Sequence, residues 1–239
     1  MGTGTPFPGF AAAYQEATSR CRDVKTITVS MALSGKAGST KLRGHIDAGF
    51  EAPARARLEG LPPFGKPVFV LVADGPRATL VLSREDRVLA DAPPDQIVEA
   101  LAGVSIGPDA LRTIVSGCGF SDGAPSAGAA LHADKSDWVV LTFAGSTAYL
   151  LHQNGAWRLA AAARGPLTVR YADFAADRPA TIGIRASANG RVTADIQLRL
   201  SDVAVNVSLD PRTFIADLPD HPVPVSLEEL RRAGPLGGS

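Results

Sequence analysis

Cysteine is scarce in this chain. There are two, Cys21 and Cys118, almost a hundred residues apart, and they fit no zinc-binding spacing. They are read as either free buried thiols or a disulfide tying an N-terminal helix to a later one, the second of which would imply an oxidising compartment. The four histidines, His45, His132, His152 and His221, stand alone, with no His-Glu-x-x-His pattern, so neither a metal nor another cofactor is expected. No nucleophilic cysteine signature is present. Gly35-Lys36-Ala37-Gly38-Ser39-Thr40 has the wrong glycine spacing for a phosphate loop and leads into a strand, so it is read as a hairpin turn. The acidic residues fall on outward strand positions, as solvated charge does. No enzyme is expected.

An excess of either charge is also lacking. Lys plus Arg and Asp plus Glu number 24 each, spread one by one, which leaves no electrostatic footprint for nucleic acid. No apolar run approaches the ~20 residues that a membrane helix needs, although 45% of the chain is apolar. No signal peptide is visible. Met1-Gly2-Thr3-Gly4-Thr5-Pro6 reads as an expression start on a flexible N-terminus, residues 1–8.

What is present is mostly strand pattern. Phe10, Tyr14, Ala17 and Cys21 form one stripe of a helix expected over 9–23. The period then changes to two: Ile27, Val29, Met31 and Leu33 share a face, and Leu42, Gly44, Ile46, Ala48 and Phe50 return on a second strand. Val68 to Val72 is apolar on both parities and is expected to be covered on both sides. Two short one-sided helices follow in a segment expected to act as a lid, 93–117: Ile97, Val98 and Leu101 on the first, Leu111, Ile114 and Val115 on the second. Residues 119–136, rich in Gly, Ser, Ala and Pro, are read as a loop. Further strands follow, with Asn154-Gly155 and Asn189-Gly190 as hairpin signals. Pro-rich 219–239 carries a last helix with Ser226 and Glu229 as its capping box.

About ten or eleven strands joined by short hairpins predict a mainly β fold with short helices. The strands form one curled antiparallel sheet, an incomplete barrel with helices over its concave mouth, spanning 9–218 as one domain. Such a curve holds more apolar wall than its few helices fill, and sheets of this kind often hold a lipophilic ligand. The wall is expected to include Leu42, Ile46, Leu58, Val70, Leu80, Ile196 and Leu198, with Trp138 and Trp157 from later strands. The helices would add Ile97, Leu101, Leu111 and Ile114. Phe69, Phe143 and Leu150 are placed on the same inner side. One feature breaks the alternation: in Leu61-Pro62-Pro63-Phe64-Gly65 an aromatic and a leucine sit at a turn tip that two prolines hold out of the ladder.

Residues 24 to 118 carry a resemblance. Gly44, Phe50, Arg57-Leu58-Glu59-Gly60-Leu61-Pro62-Pro63-Phe64-Gly65-Lys66-Pro67, Ala90 to Ile97 and Leu101 to Leu111 resemble the outer-membrane lipoprotein receptor LolB and its relatives. This implies a half-barrel whose cavity takes lipoprotein acyl chains, or another lipid, handed over by a periplasmic LolA-like carrier. It implies a tip of Leu61, Pro63 and Phe64 that enters the membrane, a lipid anchor on a removed N-terminal segment, and a place on the periplasmic face of the outer membrane. The chain departs from the family in Pro63-Phe64 where a Pro-Leu pair is usual, in the long 119–136 segment and in the C-terminal extension. The alternative expectation is an envelope assembly lipoprotein that holds protein partners and has a packed interior.

Overall fold

The computed structural model describes residues 4–120, 123–133, 136–175 and 178–234. In chain order the elements are β1 (Thr5–Pro6), α1 (Phe10–Thr18), β2 (Thr26–Ala37), β3 (Thr40–Glu51), β4 (Arg55–Leu61), β5 (Phe69–Asp74), β6 (Arg77–Leu82) and β7 (Arg87–Ala92). The helices α2 (Pro94–Ala102) and α3 (Pro108–Ser116) follow. Then come β8 (Ala127–Ala133), β9 (Ser136–Thr142), β10 (Ser146–Gln153), β11 (Ala156–Arg164), β12 (Leu167–Ala175), β13 (Arg178–Ala188) and β14 (Arg191–Val205). A 3-10 turn (Pro211–Phe214), β15 (Val223–Pro224) and α4 (Leu227–Ala233) complete the chain.

The fifteen strands follow one hydrogen-bonded order, β1-β8-β9-β10-β11-β12-β13-β14-β2-β3-β4-β5-β6-β7-β15, with β1 and β15 at its two open ends. It is a mainly antiparallel sheet, as the hairpin signals predict, and β15 alone is recorded running parallel to its neighbour, β7. At Asn154-Gly155 and Asn189-Gly190 both residues of each pair have positive φ, the geometry that the Asn-Gly signal encodes.

Three of the strands beyond the expected ten or eleven escape the sequence pattern for a physical reason. β1 and β15 are two-residue pairings in Pro-containing stretches, too short to show alternation. β8 corrects the loop expected over 119–136: Ala127–Ala133 pairs with β9 along its length, but Ala and Gly give almost no polar contrast to read. Residues 1–3 of the expected flexible start, and 121–122 and 134–135 of that loop, lie outside the described residues. Thr5 and Pro6 are paired with Ala130 and Ala129, not free.

The chain divides into two compact units, Met1–Val24 with Thr113–Ile184, and Lys25–Arg112 with Arg185–Ser239. In the first, the inner side of β9 to β12 buries Val139, Leu141, Leu150, Leu159 and Val169. Helix α1 lies on this side. Phe10 sits over Gly128, where any side chain would collide, and Tyr14 meets Phe143 edge-on at 5.2 Å. The Glu16 carboxylate accepts a hydrogen bond from the Trp157 backbone N–H at 3.0 Å. α1 is shorter than the expected 9–23: it stops at Thr18, whose hydroxyl donates back to the Tyr14 carbonyl at 2.7 Å. Three residues on, Cys21 forms a disulfide with Cys118, Cα to Cα 5.5 Å, which decides between the two readings of the cysteines. Just beyond it, the buried Tyr171 hydroxyl donates to the Ile114 carbonyl (3.1 Å) and accepts from the Gly119 N–H (2.9 Å).

The second unit is built on the long β2–β3 hairpin, flanked by β14 on one side and by β4 to β7 on the other. Its inner side buries Ile27, Val29, Met31, Phe50, Leu71, Leu80, Ile196 and Leu198. α2 packs here, with Ile97 and Leu101 buried. Its cap, Gly103 at φ 72°, donates to the Glu99 carbonyl at 2.7 Å and presses so closely on Ala37 that a side chain would collide. The C-terminal segment is not a free tail. The Arg57 guanidinium donates to the carbonyls of Thr213 (3.2 Å) and Ile215 (3.1 Å), holding the 3-10 turn against the outer side of β4 and β5, and β15 extends the sheet beyond β7. Val72, paired with Arg57 on that side, is buried, whereas Val68, Phe69 and Val70 are half-buried, so the two-sided cover expected over Val68 to Val72 reaches only the end of the run. α4 packs on α2, and its Ser226–Glu229 capping box forms as the sequence predicts.

Candidate functional site

Register assigns each predicted wall residue to a face, because paired residues on antiparallel strands share one side. In the second unit one inner row is Val29–Ala48–Leu58–Leu71–Leu80. The next, nearer the β2–β3 turn, is Leu200–Met31–Ile46–Gly60–Phe69–Leu82, followed by Leu198–Leu33–Gly44 and Ile196–Gly35–Leu42. Leu42, Leu58, Leu80, Ile196 and Leu198 are therefore inner and buried. Ile46 is inner and half-buried.

Two residues sit on the opposite side from the one expected. Val70 pairs with Glu59 and Val81 on the outer side; the inner neighbour is Leu71. The uninterrupted run Val68 to Val72 gave no parity to choose by. In the first unit, Trp138 pairs with Leu131 and Leu151, out of step with the inner Val139 and Leu150. Trp157 lies on the inner side at a strand end, but Phe7 (5.7 Å between ring centres) and His152 (4.9 Å) pack against it, and α1 hydrogen-bonds to its backbone. Neither tryptophan lines open space beside α1. Among the lid residues, Ile97, Leu101 and Ile114 are buried and Leu111 is half-buried.

The inner side of the second unit is not uniformly covered. Rows near Phe50 are fully buried, whereas Leu33, Ile46, Phe69, Leu82 and Leu200 keep partial exposure. Phe69 lies across Gly60, where a β-carbon would overlap its ring, so the missing side chain on β4 is what lets the aromatic lie flat. Alternation in the sequence puts Leu200 inward with Ile196 and Leu198, and Leu33 on one face with Ile27, Val29 and Met31; Ile46 and Phe69 are also expected inside, and Leu82 alone of the band is not.

The band ends where the tip begins. Leu61 pairs with His45, and after it the chain leaves the ladder through Pro62 and Pro63 to Phe64 and returns with the Val68 N–H donating to the Gly60 carbonyl at 2.8 Å. Phe64 is 92% exposed, the most exposed large apolar residue described. Pro63 is exposed too, and Leu61 is half-buried. At the same end, on the outer side, a depression of about 760 Å³ is lined by Lys36, Ser39, Lys41, Arg43, Asp195 and Gln197 among others. Among the described residues there is no cluster of three His, Cys, Asp or Glu that could hold a metal, and no helix is long and apolar enough to cross a membrane.

No family model matches the sequence and no curated protein is recognisably similar to it. Solved structures do share the fold. A LolA superfamily protein from Nitrosomonas europaea aligns over 86% of this chain and 96% of its own, with a TM-score of 0.60 at 14% identity. A DUF1329 family protein from Desulfovibrio piger aligns over 85% and 95%, with a TM-score of 0.54 at 10% identity. A domain assigned by name to outer-membrane lipoprotein sorting, from Vibrio parahaemolyticus, aligns over 86% and 95%, with a TM-score of 0.51 at 10% identity. At these identities the likeness concerns the fold. It extends to nearly the full length of each neighbour.

Proposed function

We propose that this chain is a non-enzymatic carrier or receptor for an acyl chain, of a lipoprotein or another lipid, in the bacterial envelope. The observation that carries the proposal is Phe64: a phenyl ring 92% exposed on a Pro-Pro tip, at the end of the sheet where the inner apolar band is itself half-exposed. Full exposure of an aromatic on a rigid tip is costly in water and is relieved by entry into a bilayer. The band from Leu33 to Phe69 offers apolar contact for a hydrocarbon tail, worth about 0.8 kcal/mol per methylene buried. The fold shared with a LolA superfamily protein and a lipoprotein-sorting domain supports the same reading.

In this reading the chain is LolB-like. It works on the periplasmic face of the outer membrane, receives cargo from a LolA-like carrier and releases it where Phe64 enters the lipid. The variant Phe64→Glu should lose transfer of cargo to membranes while keeping its fold and its cargo. Transfer at the wild-type rate would remove the insertion role. A second reading, an assembly protein with a packed interior, is favoured by α1, which fills the inner side of the first unit.

A further inference from the structure

The β2–β3 turn and the β4–β5 tip leave the second unit at the same end of the sheet. The pairing of His45 with Leu61 fixes this: Arg43 and Lys41 lie two and four residues further along β3, so about 13 Å of hairpin continues beside the point where the tip departs. This extension has an unusual charge pattern. Lys36 and Lys41 stand directly opposite each other on the outer side, an arrangement that repels, and Arg43 follows on the same face. All three are exposed, and none is ion-paired among the described residues. Lys66 on the tip and Arg191 at the start of β14 are exposed and unpaired in the same sense. The single carboxylate lining the depression, Asp195, is engaged by Arg185 at 2.7 Å. A net-neutral chain thus gathers uncompensated cations beside its most exposed aromatic.

We propose that this end of the unit docks on a membrane surface rich in anionic phospholipid, with Lys36, Lys41 and Arg43 meeting the lipid phosphates while Phe64 enters the acyl region; the second half rests on the insertion reading above. The depression has the volume of a small-molecule site, enough for a phosphoglycerol headgroup. Charge complementarity decides the occupant. A lipid surface satisfies cations and an apolar tip together, whereas an acidic protein would leave Phe64 unexplained.

The test is sedimentation with vesicles of phosphatidylcholine alone or mixed with phosphatidylglycerol, across a salt series. Each basic side chain near an anionic surface contributes about fivefold in affinity, so three give on the order of a hundredfold preference for the mixed vesicles at low salt. The preference should fall as salt rises. Lys36→Gln/Lys41→Gln/Arg43→Gln should abolish it, with residual binding to both vesicles kept. Phe64→Ser, which leaves charge unchanged, should weaken binding to both vesicles and keep the preference. If Phe64→Ser binds like wild type while the preference persists, the insertion reading fails and the electrostatic one stands. Equal binding of the wild type to both vesicles, or a preference that survives in the triple variant, overturns the proposal and leaves the cations to an acidic protein partner.

Discussion

The Cys21–Cys118 disulfide lends itself to a quantitative test because it joins two residues of one unit across a long stretch of chain. The two residues are 97 apart in sequence. The chain-entropy relation for a loop of that length gives about 4.7 kcal/mol of stabilisation, and measured disulfides typically deliver 2–4 kcal/mol. The bond also holds the residues just after α1, the helix that covers the inner side of β9 to β12. Replacing both cysteines, Cys21→Ser/Cys118→Ser, should therefore loosen α1 first. Both tryptophans, Trp138 and Trp157, belong to this unit, and Trp157 contacts Phe7 and α1 directly, so intrinsic fluorescence reports on it selectively. With a urea slope of about 1–3 kcal/mol/M, the fluorescence midpoint should fall by roughly 1–2 M in the double variant, and as much in reduced wild type. An unchanged midpoint would refute the reasoning, since it would mean that the loop costs the unfolded chain nothing to leave open.

Burial raises the Tyr171 phenol well above its ordinary value, so the folded state holds that proton more tightly than the unfolded chain does. Stability is then fully present below about pH 10 and declines as pH rises beyond it. Tyr171→Phe should lose about 1–3 kcal/mol at neutral pH, because the Gly119 N–H is left unpaired, and should lack that part of the alkaline decline; parallel urea titrations at neutral and high pH would show it, and identical alkaline slopes would count against it. Gly60→Val should push Phe69 off β4, costing about 1–3 kcal/mol and weakening uptake of a fluorescent fatty acid; unaltered melting and uptake would mean that the ring is not held there.

Much of this architecture could be read in the sequence because alternation and turn chemistry speak locally. Ile27–Val29–Met31, Ile196–Leu198 and the two Asn-Gly turns each state a period or a backbone sign without help from the rest of the chain. The capping box at Ser226 and Glu229 does the same. Contrast was the limiting factor elsewhere. Ala127 to Ala130 offers only Ala and Gly, residues of nearly equal polarity, so β8 reads as a loop. Val68 to Val72 is apolar throughout, so Val70 was assigned to the wrong side. Trp138 is expected inward from its place on the strand, although its neighbours Val139 and Leu141 carry the inner parity. The strap formed by Arg57 with residues 213 and 215 joins positions some 156 residues apart. No local pattern announces such a contact. Phe64 was legible for the opposite reason: an aromatic between two prolines and a glycine has no ladder to join.

Native mass spectrometry of the chain purified from a bacterial host bears most directly on the cargo role. The account predicts a non-covalent adduct with the mass of an acyl lipid, lost in Ile46→Asp, where a carboxylate interrupts the half-exposed inner band. Bare protein from the host that also takes up no fatty acid on incubation would contradict it, and would leave the inner face as packing alone.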